Sequence, residues 1–492
     1  MGSMKILIGL LLSVLIVAAS PADLRLVEAV KKGDHKTLRE LLQNHVNVNS
    51  AQSDGSTPLI LAANANDLEA ANLLIKAAAN VNARNEYGAS ALFAAATSDN
   101  TAIIKLLLDA KADPNLALLS GETPLMTSVD RGNAEAVRTL LDHGAGANAK
   151  ETKGDQTALM WAAAGKHPEI VKLLLDHKAD TNAKSKGGFT ALLFAVQQGD
   201  LESSHALLNA GADPNDTRQS DGLSALILAA ESFSAEVTSY NHEVPILLAE
   251  NGANPNVIDA KGYTALHFVS GCMPDTNTSC KVELSDEKRV EVVKALLAHG
   301  ANPNARVTPR GGRTGPASDG VSLRGMTPIF FAAASGHPDV ARALVAGGAD
   351  PFALTDLKTT PVHLAAGVGP PNGRDWEVEE QKRMFETTKF LVELGADINA
   401  VGEHGWVPLH GAAYKGIDSV VQFLVEKGAK MDVFDEYGQT PLSITYSAIT
   451  VGGRYAYGNS PRELHASTRD LLLKMGATPL EKSGVQILEL FH

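Results

Sequence analysis

Few residues in this chain are equipped for chemistry, and the first to weigh are its two thiols, Cys272 and Cys280, eight positions apart. A metal centre is excluded here, because no other thiol exists and no histidine lies between the pair. Arginines gather in a glycine-rich stretch, Pro309-Arg310-Gly311-Gly312-Arg313-Thr314-Gly315-Pro316, within a segment running from Arg306 to Arg324. In an acidic protein, Arg310 and Arg313 are suited to gripping a carboxylate or a phosphate; the competing role for the stretch is a plain linker. It is no phosphate loop, since no Lys-Ser/Thr follows at the required spacing and no strand precedes it. A third set mixes aromatic rings with charge: Tyr240 and His242; Asp275 near the cysteines; Arg374, Asp375 and Trp376; and Tyr446, Arg454, Tyr455 and Tyr457. Taken singly, each ring is expected to pin its own loop; taken together, the groups are suited to a binding patch or a shallow pocket.

The familiar catalytic patterns are missing. There is no His-Glu-x-x-His, no Gly-x-Ser-x-Gly, no Walker sequence and no Gly-x-Gly-x-x-Gly after a strand. Of the 15 histidines, His242, His404, His465 and His492 have no structural assignment and are too scattered to propose a metal site. No cofactor is implied, and spacing alone identifies no acid–base pair among the carboxylates.

The chain is 492 residues long, 44% apolar and 20% charged, which is room for two or three ordinary soluble domains. Only 5% is aromatic, so the expected core is Ala, Leu and Val in closely packed helices. A formal charge of −13 with no basic stripe repels phosphate backbones and argues against a nucleic-acid partner. Met1-Gly2-Ser3 reads as an appended scar before a natural start at Met4. Lys5, the apolar run Ile6 to Val17 and Ser20-Pro21-Ala22 then make a secretory signal, with cleavage expected after Ala22. That run is too short to span a membrane comfortably, and no later stretch of the mature chain is apolar enough to cross one. The expected location is periplasmic or secreted, and there the two cysteines are expected to close a small-loop disulfide.

The elements that must position these groups declare themselves by repetition. A Thr-Pro-Leu-like turn recurs at Thr57, Ser90, Thr123, Thr157, Thr190, Ser224, Thr264, Thr327, Thr360, Val407 and Thr440. The first spacings are 33, 33, 34, 33 and 34; later ones reach 40, 63 and 47. An Ala-rich stretch follows each turn, then a break such as Gly336-His337-Pro338-Asp339, then a second apolar-periodic stretch such as Ile170 to Leu175. The unit closes with Gly-Ala-Asp-Pro-Asn or a relative. The Thr hydroxyl caps a helix whose first turn tolerates Pro, and the Ala pair lets that helix pack closely. The Leu triplet gives the second helix its apolar face, and Gly takes the left-handed position after it.

With these motifs the chain resembles the ankyrin-repeat family, from about Asp23 to Pro479. The resemblance implies an all-α solenoid of helix-turn-helix units, curved, with finger-like turns; the spacings add long inserts in the C-terminal half. It also implies a protein or peptide partner held on a concave face. His267, His363 and His410 fall at the family's structural Thr-Pro-Leu-His position. The expected organisation is a signal at 1–22, an N-terminal capping repeat at 23–53, regular repeats at 54–223, repeats with inserts at 224–463, and a capping helix and tail at 464–492.

The later units carry insertions between their first and second helices: 7, 15, 14 and 15 extra residues in the units beginning at Ser224, Thr264, Thr360 and Thr440. A further insertion of about 14 lies in the finger before Thr327, a loop class where insertions map to binding faces. By the resemblance, the residue before the turn Thr points toward a partner, which makes Phe189, Tyr263 and Trp406 candidate interface anchors; the competing role is packing between neighbouring fingers. The leading expectation is an exported binding scaffold. The alternative is a hydrolase or small-ligand receptor whose site is built at the insert rim.

Overall fold

The computed structural model describes residues 24–218, 222–231, 241–271, 285–308, 322–369, 377–446 and 465–479, with the backbone of two short strands at 450–451 and 454–455. The signal region, Cys272, Cys280, Arg310, Arg313, Arg374, Trp376 and Tyr457 lie outside the described residues, as do Tyr240, Asp275 and Asp375. Arg454 and Tyr455 are described only as backbone.

Helices come in antiparallel pairs, and packing divides them into two units. The first unit runs to Ala158 and takes in Asp176–Lys178. It holds α1 (Arg25–Lys31) with α2 (His35–Gln43), α3 (Pro58–Asn64) with α4 (Leu68–Lys76), α5 (Ala91–Thr97) with α6 (Thr101–Asp109), and α7 (Pro124–Asp130) with α8 (Ala134–Asp142). Most of α9 (Ala158–Ala164) and α10 (Pro168–Asp176) belongs to the second unit. That unit continues with α11 (Ala191–Gln197) and α12 (Leu201–Asn209), α13 (Ala225–Glu231) and α14 (Glu243–Glu250), and α15 (Ala265–Ser270) and α16 (Asp286–Ala298). It ends with α17 (Pro328–Ala334) and α18 (Pro338–Ala346), α19 (Pro361–Ala365) and α20 (Val378–Glu393), α21 (Pro408–Lys415) and α22 (Asp418–Glu426), and α23 (Pro441–Ile444) and α24 (Ala466–Met475). Strand β1 (Thr217–Arg218) pairs with β2 (Leu223–Ser224), and β3 (Thr450–Val451) with β4 (Arg454–Tyr455).

In several pairs the turn hydroxyl caps the first helix, as its chemistry allows. The Ile60 N–H donates to Thr57 Oγ1 at 3.4 Å, Phe93 to Ser90 at 3.2 Å and Met126 to Thr123 at 3.2 Å. Second helices have carboxylate or amide caps of their own: Asp67, Asn100, Asn133 and Asp200 accept from the N–H three residues on. First helices bury their alanines; Ala62, Ala63, Ala95, Ala162, Ala195 and Ala332 are fully enclosed, while the second helices supply Leu74, Leu107, Leu140, Leu174 and Leu344. Small residues on one helix leave room for branched ones on the next to pack closely. The left-handed position after each second helix is glycine in most pairs, but His45, Ala78, Lys111 and Lys178 hold it with φ of 56°, 62°, 67° and 64°.

Part of the length expected in interhelical loops is helix instead. α16 has 13 residues and α20 has 16, against 9 in α12, and both grow at their N-terminal ends. The added turn of α16 is anchored: Asp286 Oδ1 sits 2.7 Å from Nδ1 of the partly buried His337 at the start of α18. Arg289, fully buried, donates from Nη1 to the Val269 carbonyl at 3.2 Å. Burial drives the His337 ring below its ordinary pKa although Asp286 pulls the other way. Burial pushes the Asp286 carboxyl up, but the His337 bond and the charges of His337, Arg289 and Arg383 outweigh it and hold it low.

Candidate interaction surface

Between one pair and the next the chain makes a finger, and each finger is assembled the same way. After the left-handed residue comes an Asx turn: the Asn82 N–H donates to Asn80 Oδ1 at 3.0 Å, Asn304 to Asn302 at 2.9 Å and Asn399 to Asp397 at 2.9 Å. The second residue of that turn then reaches across to the following finger. In the first unit the side-chain oxygen of Asn49 accepts from the Asn80 N–H, Asn82 from Asp113 and Asn115 from Gly146, each at 2.8 Å. In the second unit Asn182 accepts from Asp213 at 3.2 Å, Asn215 from Asn254 at 2.7 Å, and Asn256 from Asn302 and Asn304 from Asp350 at 2.8 Å. Tips are joined by backbone bonds as well, Leu119 N–H to Tyr87 O at 3.1 Å and Glu436 N–H to His404 O at 3.0 Å.

One finger breaks the ladder. The rung position in the finger 348–360 is Phe352, and among the described residues the Asp397 N–H has no side-chain acceptor across it. Asn399 and Asp432 resume the pattern toward Lys430 and Thr478, both at 2.9 Å. Phe352 is 46% exposed, and its Cζ lies 4.0 Å from where a Gly395 Cβ would stand. Two residues further on, the same register holds Leu354, Val401 and Phe434 in three consecutive fingers, at 49, 55 and 50% exposure. In the first unit that register holds Arg84, Ala117 and Lys150.

The aromatic residues before the turn behave differently from the expectation of exposed anchors. Tyr263 is 3% exposed and packs edge-on against Phe268 and Phe331 at 5.6 and 5.9 Å between centroids. Trp406 is 4% exposed, stacks on His410 at 5.9 Å and donates from Nε1 to Asp435 Oδ2 at 3.1 Å. Both rings lie back over the first helix of their own pair, where the buried imidazole offers a flat neighbour. Phe189 is half-buried, with Phe194 at 5.0 Å and the Arg218 guanidinium 4.8 Å from its centroid. Tyr446 is exposed at the edge of its insert, with Arg469 5.5 Å from its ring centroid.

His267, His363 and His410 are structural. Each Nδ1 accepts from the backbone N–H three residues earlier, that of Thr264, Thr360 or Val407, at 3.1, 3.2 and 3.1 Å. The Nε2–H of His363 then donates to the carbonyls of Ala400 and Trp406 at 3.0 and 3.1 Å, tying the pair to the next finger. Burial lowers all three rings to a pKa of about 4.

Beside Trp406 the finger turns through His404 at φ 58°. His404 contacts Glu436 through Nδ1, with the Tyr437 hydroxyl at 3.1 Å, while its Nε2 is 3.8 Å from Glu403. Glu403 is buried; its Oε2 accepts from the Ser322 N–H at 2.8 Å, at the end of the arginine-rich finger insertion. At the base of that insertion Arg306 and Arg324 both reach Asp356, at 2.9 and 3.4 Å. Arg310 and Arg313, the two expected to grip a carboxylate or phosphate, lie outside the described residues. Elsewhere His242 lies 3.5 Å from Glu291 and His465 bonds the Tyr414 carbonyl at 3.1 Å. No group of three or more His, Cys, Asp or Glu among the described residues is placed to hold a metal ion. No described helix is long and apolar enough to cross a membrane.

Stacked helix pairs joined by hydrogen-bonded fingers make a repeat scaffold, a class of protein that offers an extended surface to partners. The pattern described as "Ankyrin repeats (3 copies)" matches residues 26–117, 111–185, 145–218, 192–307 and 378–452, and "Ankyrin repeat" matches 324–356. The chain belongs to the ankyrin-repeat family, whose arrays serve as scaffolds for protein–protein interaction. Alpha-latrocrustotoxin-Lt1a of Latrodectus tredecimguttatus is 28% identical over 150 residues, 29% of this chain and only 8% of that protein's length. The crystal structure of the human ASB11 ankyrin repeat domain is 27% identical, covering 47% of this chain and 98% of that one, with a TM-score of 0.39.

The turn motif alone does not single out the row Leu354, Val401, Phe434 or the exception at Phe352. The signal is there: aligning every finger on its left-handed residue puts Asn or Asp at the rung in all but one.

Proposed function

We propose that the chain is an exported scaffold that holds a protein or peptide partner with the concave face and inserts of its C-terminal half. The observation that supports this most is the run of solvent-facing apolar side chains on consecutive C-terminal fingers, since monomeric proteins seldom leave such positions uncovered without use. The inserts bearing Trp376, Tyr455 and Tyr457 belong to the same pairs and add rings of the kind that anchor interfaces. Export would place Cys272 and Cys280 in an oxidising compartment, where they form a disulfide.

The test is affinity capture from the periplasmic or secreted fraction of the source organism, with the chain and with its Trp376→Ala, Tyr455→Ala, Tyr457→Ala triple variant. One protein retained by the first and lost with the second, at unchanged melting temperature, is the expected result. Recovery of the same protein by both removes the inserts from the binding surface. N-terminal sequencing of the exported chain should begin at Asp23, and thiol counting in denaturant without reductant should find none free.

A further inference from the structure

The finger 348–360 gives up a contact that its neighbours keep. It lacks the rung that Asn makes elsewhere, and the Glu403 N–H of the finger 395–407 bonds its Thr359 Oγ1 at 3.3 Å rather than a tip carbonyl. What it gains is an exposed ring, Phe352, at the head of the row Leu354, Val401, Phe434. Leu357, at the tip of that finger, is 44% exposed and widens the row. A folded chain that only needed stability would keep asparagine there. Its neighbours show that the backbone accommodates one.

Charge selects the occupant. The three fingers 348–359, 395–406 and 428–439 carry seven carboxylates (Asp350, Asp356, Asp397, Glu403, Asp432, Asp435 and Glu436) against two lysines, Lys358 and Lys430. Only Asp356 is answered by arginine, and Asp350, Asp397 and Asp432 are exposed and pair with no cation among the described residues. The fingers 78–89 of the first unit carry one arginine and one carboxylate. An apolar row flanked by unpaired acids excludes an acidic segment by repulsion and leaves a neutral one without its electrostatic gain.

Resting on the scaffold reading above, we propose that Phe352, Leu354, Val401 and Phe434 form the docking row for a cationic amphipathic segment of a partner protein. Its apolar side chains lie along the row, and its lysines or arginines meet Asp350, Asp397 and Asp432. The segment is a peptide stretch, neither lipid nor nucleic acid, since both present phosphate to a negative surface.

The experiment uses the full chain and three fluorescein-labelled synthetic 12-residue peptides of alternating Leu–Lys, Ser–Lys and Leu–Glu, read by fluorescence polarisation. The expected result is binding of Leu–Lys at least about tenfold tighter than of either control, since each 1.4 kcal/mol is a decade. Leu354→Asn, Val401→Asn and Phe434→Asn together should cost the Leu–Lys peptide about tenfold or more, with the Tyr87→Asn, Leu119→Asn pair in the first unit without effect. Equal affinity for Leu–Glu, no binding of Leu–Lys, or full binding by the triple variant overturns the proposal. Should the triple variant lose its circular dichroism signature, Phe352→Asn serves instead, because it restores the residue the other fingers carry. Sedimentation that shows a wild-type dimer and a monomeric triple variant assigns the row to a second copy and overturns the proposal. So does a chain ending at Pro479 that binds Leu–Lys about tenfold tighter, which assigns the row to residues 480–492. A partner still captured through Trp376, Tyr455 and Tyr457 while the row proves inert would sink this proposal and leave the scaffold reading standing.

Discussion

Two sets of fingers share one frame and spend their exposed positions differently. In the first unit the fingers after α4 and α6 put Arg84 and Ala117 in the register where those after α18, α20 and α22 put Leu354, Val401 and Phe434. Arg84 there is a structural group, donating from Nε to the Gly88 carbonyl at 3.0 Å and reaching the Ala117 carbonyl from the next finger. At this one register Arg84 ties finger to finger, whereas Leu354, Val401 and Phe434 stand about half in solvent. The pairs differ inside as well. α3, α5 and α7 start on a hydroxyl cap with Ile60, Phe93 or Met126 at the third helical position, whereas α15, α19 and α21 put a buried histidine there. Identical folds can thus carry unequal sensitivities to acid.

The largest expected effect follows from those histidines. An unfolded imidazole takes a proton near 6.5, and the folded ones resist until about 4. Between those values the unfolded state binds more protons, so stability is whole above pH 6.5 and drains as pH falls toward 4. Each ring is worth of order 3 kcal/mol across that window. His35 in the first unit runs the other way: the bond to Asp67 raises its pKa, so its contribution is whole below the ordinary value and lost as pH rises through the raised one. Hydrogen exchange at pH 7 and pH 4.5, corrected for intrinsic rates, should show α15, α19 and α21 losing protection on acidification well ahead of α3 and α5. Equal loss in both sets would remove the histidines as the cause.

Second in size is the contrast between buried and half-buried aromatics. Trp406→Ala opens a cavity and leaves Asp435, whose carboxyl burial already raises, without the indole N–H. A loss of about 3–5 kcal/mol in chemical denaturation is expected. Phe189→Ala removes a ring that is partly in water and should cost about 1 kcal/mol. A Trp406→Ala chain that melts like wild type would return that ring to the role of interface anchor.

How much of this was legible in the residues themselves depends on which physics was involved. The 33-residue period, the capping Thr and the structural histidines follow from local chemistry, and the helix pairs stand where the turns place them. The lean of Tyr263 and Trp406 depends on a buried imidazole four residues on, which spacing does not reveal. Asp286-Glu287-Lys288-Arg289 looks like polar loop, yet it is a helical turn, because His337 and the Val269 carbonyl supply partners from distant sequence; Val378 to Arg383 is helical as well, behind a capping box of Glu377 and Glu380. The groups expected at the insert rim belong largely to residues outside those described.

A medium effect sets the neighbouring pairs α11–α12 and α13–α14 against each other. α12 is capped by Asp200, whose Oδ1 accepts from Ser203 at 3.1 Å, whereas His242 at the head of α14 makes no side-chain cap. A missing cap is worth about 1 kcal/mol. Opening should therefore be easier in α14, and its amides should exchange before those of α12 by roughly a factor of five at pH 7. The reverse order would mean that the insertion between α13 and α14 stiffens its pair.

The smallest effect tests the ladder itself. Asn82→Ala removes the acceptor for the exposed Asp113 N–H, which water can replace, so the cost should be about 0.5–1 kcal/mol. Phe352→Asn supplies the missing acceptor to Asp397 and should gain a similar amount, while removing a ring whose contact with Gly395 is slight. The two substitutions are mirror images, and urea midpoints of the purified chains should move in opposite directions. If Phe352→Asn instead destabilises the chain, the ring is a packing element of its finger. The broken rung would then be a cost of stability rather than a concession to a partner, and the contrast between the two sets of fingers would lose its functional meaning.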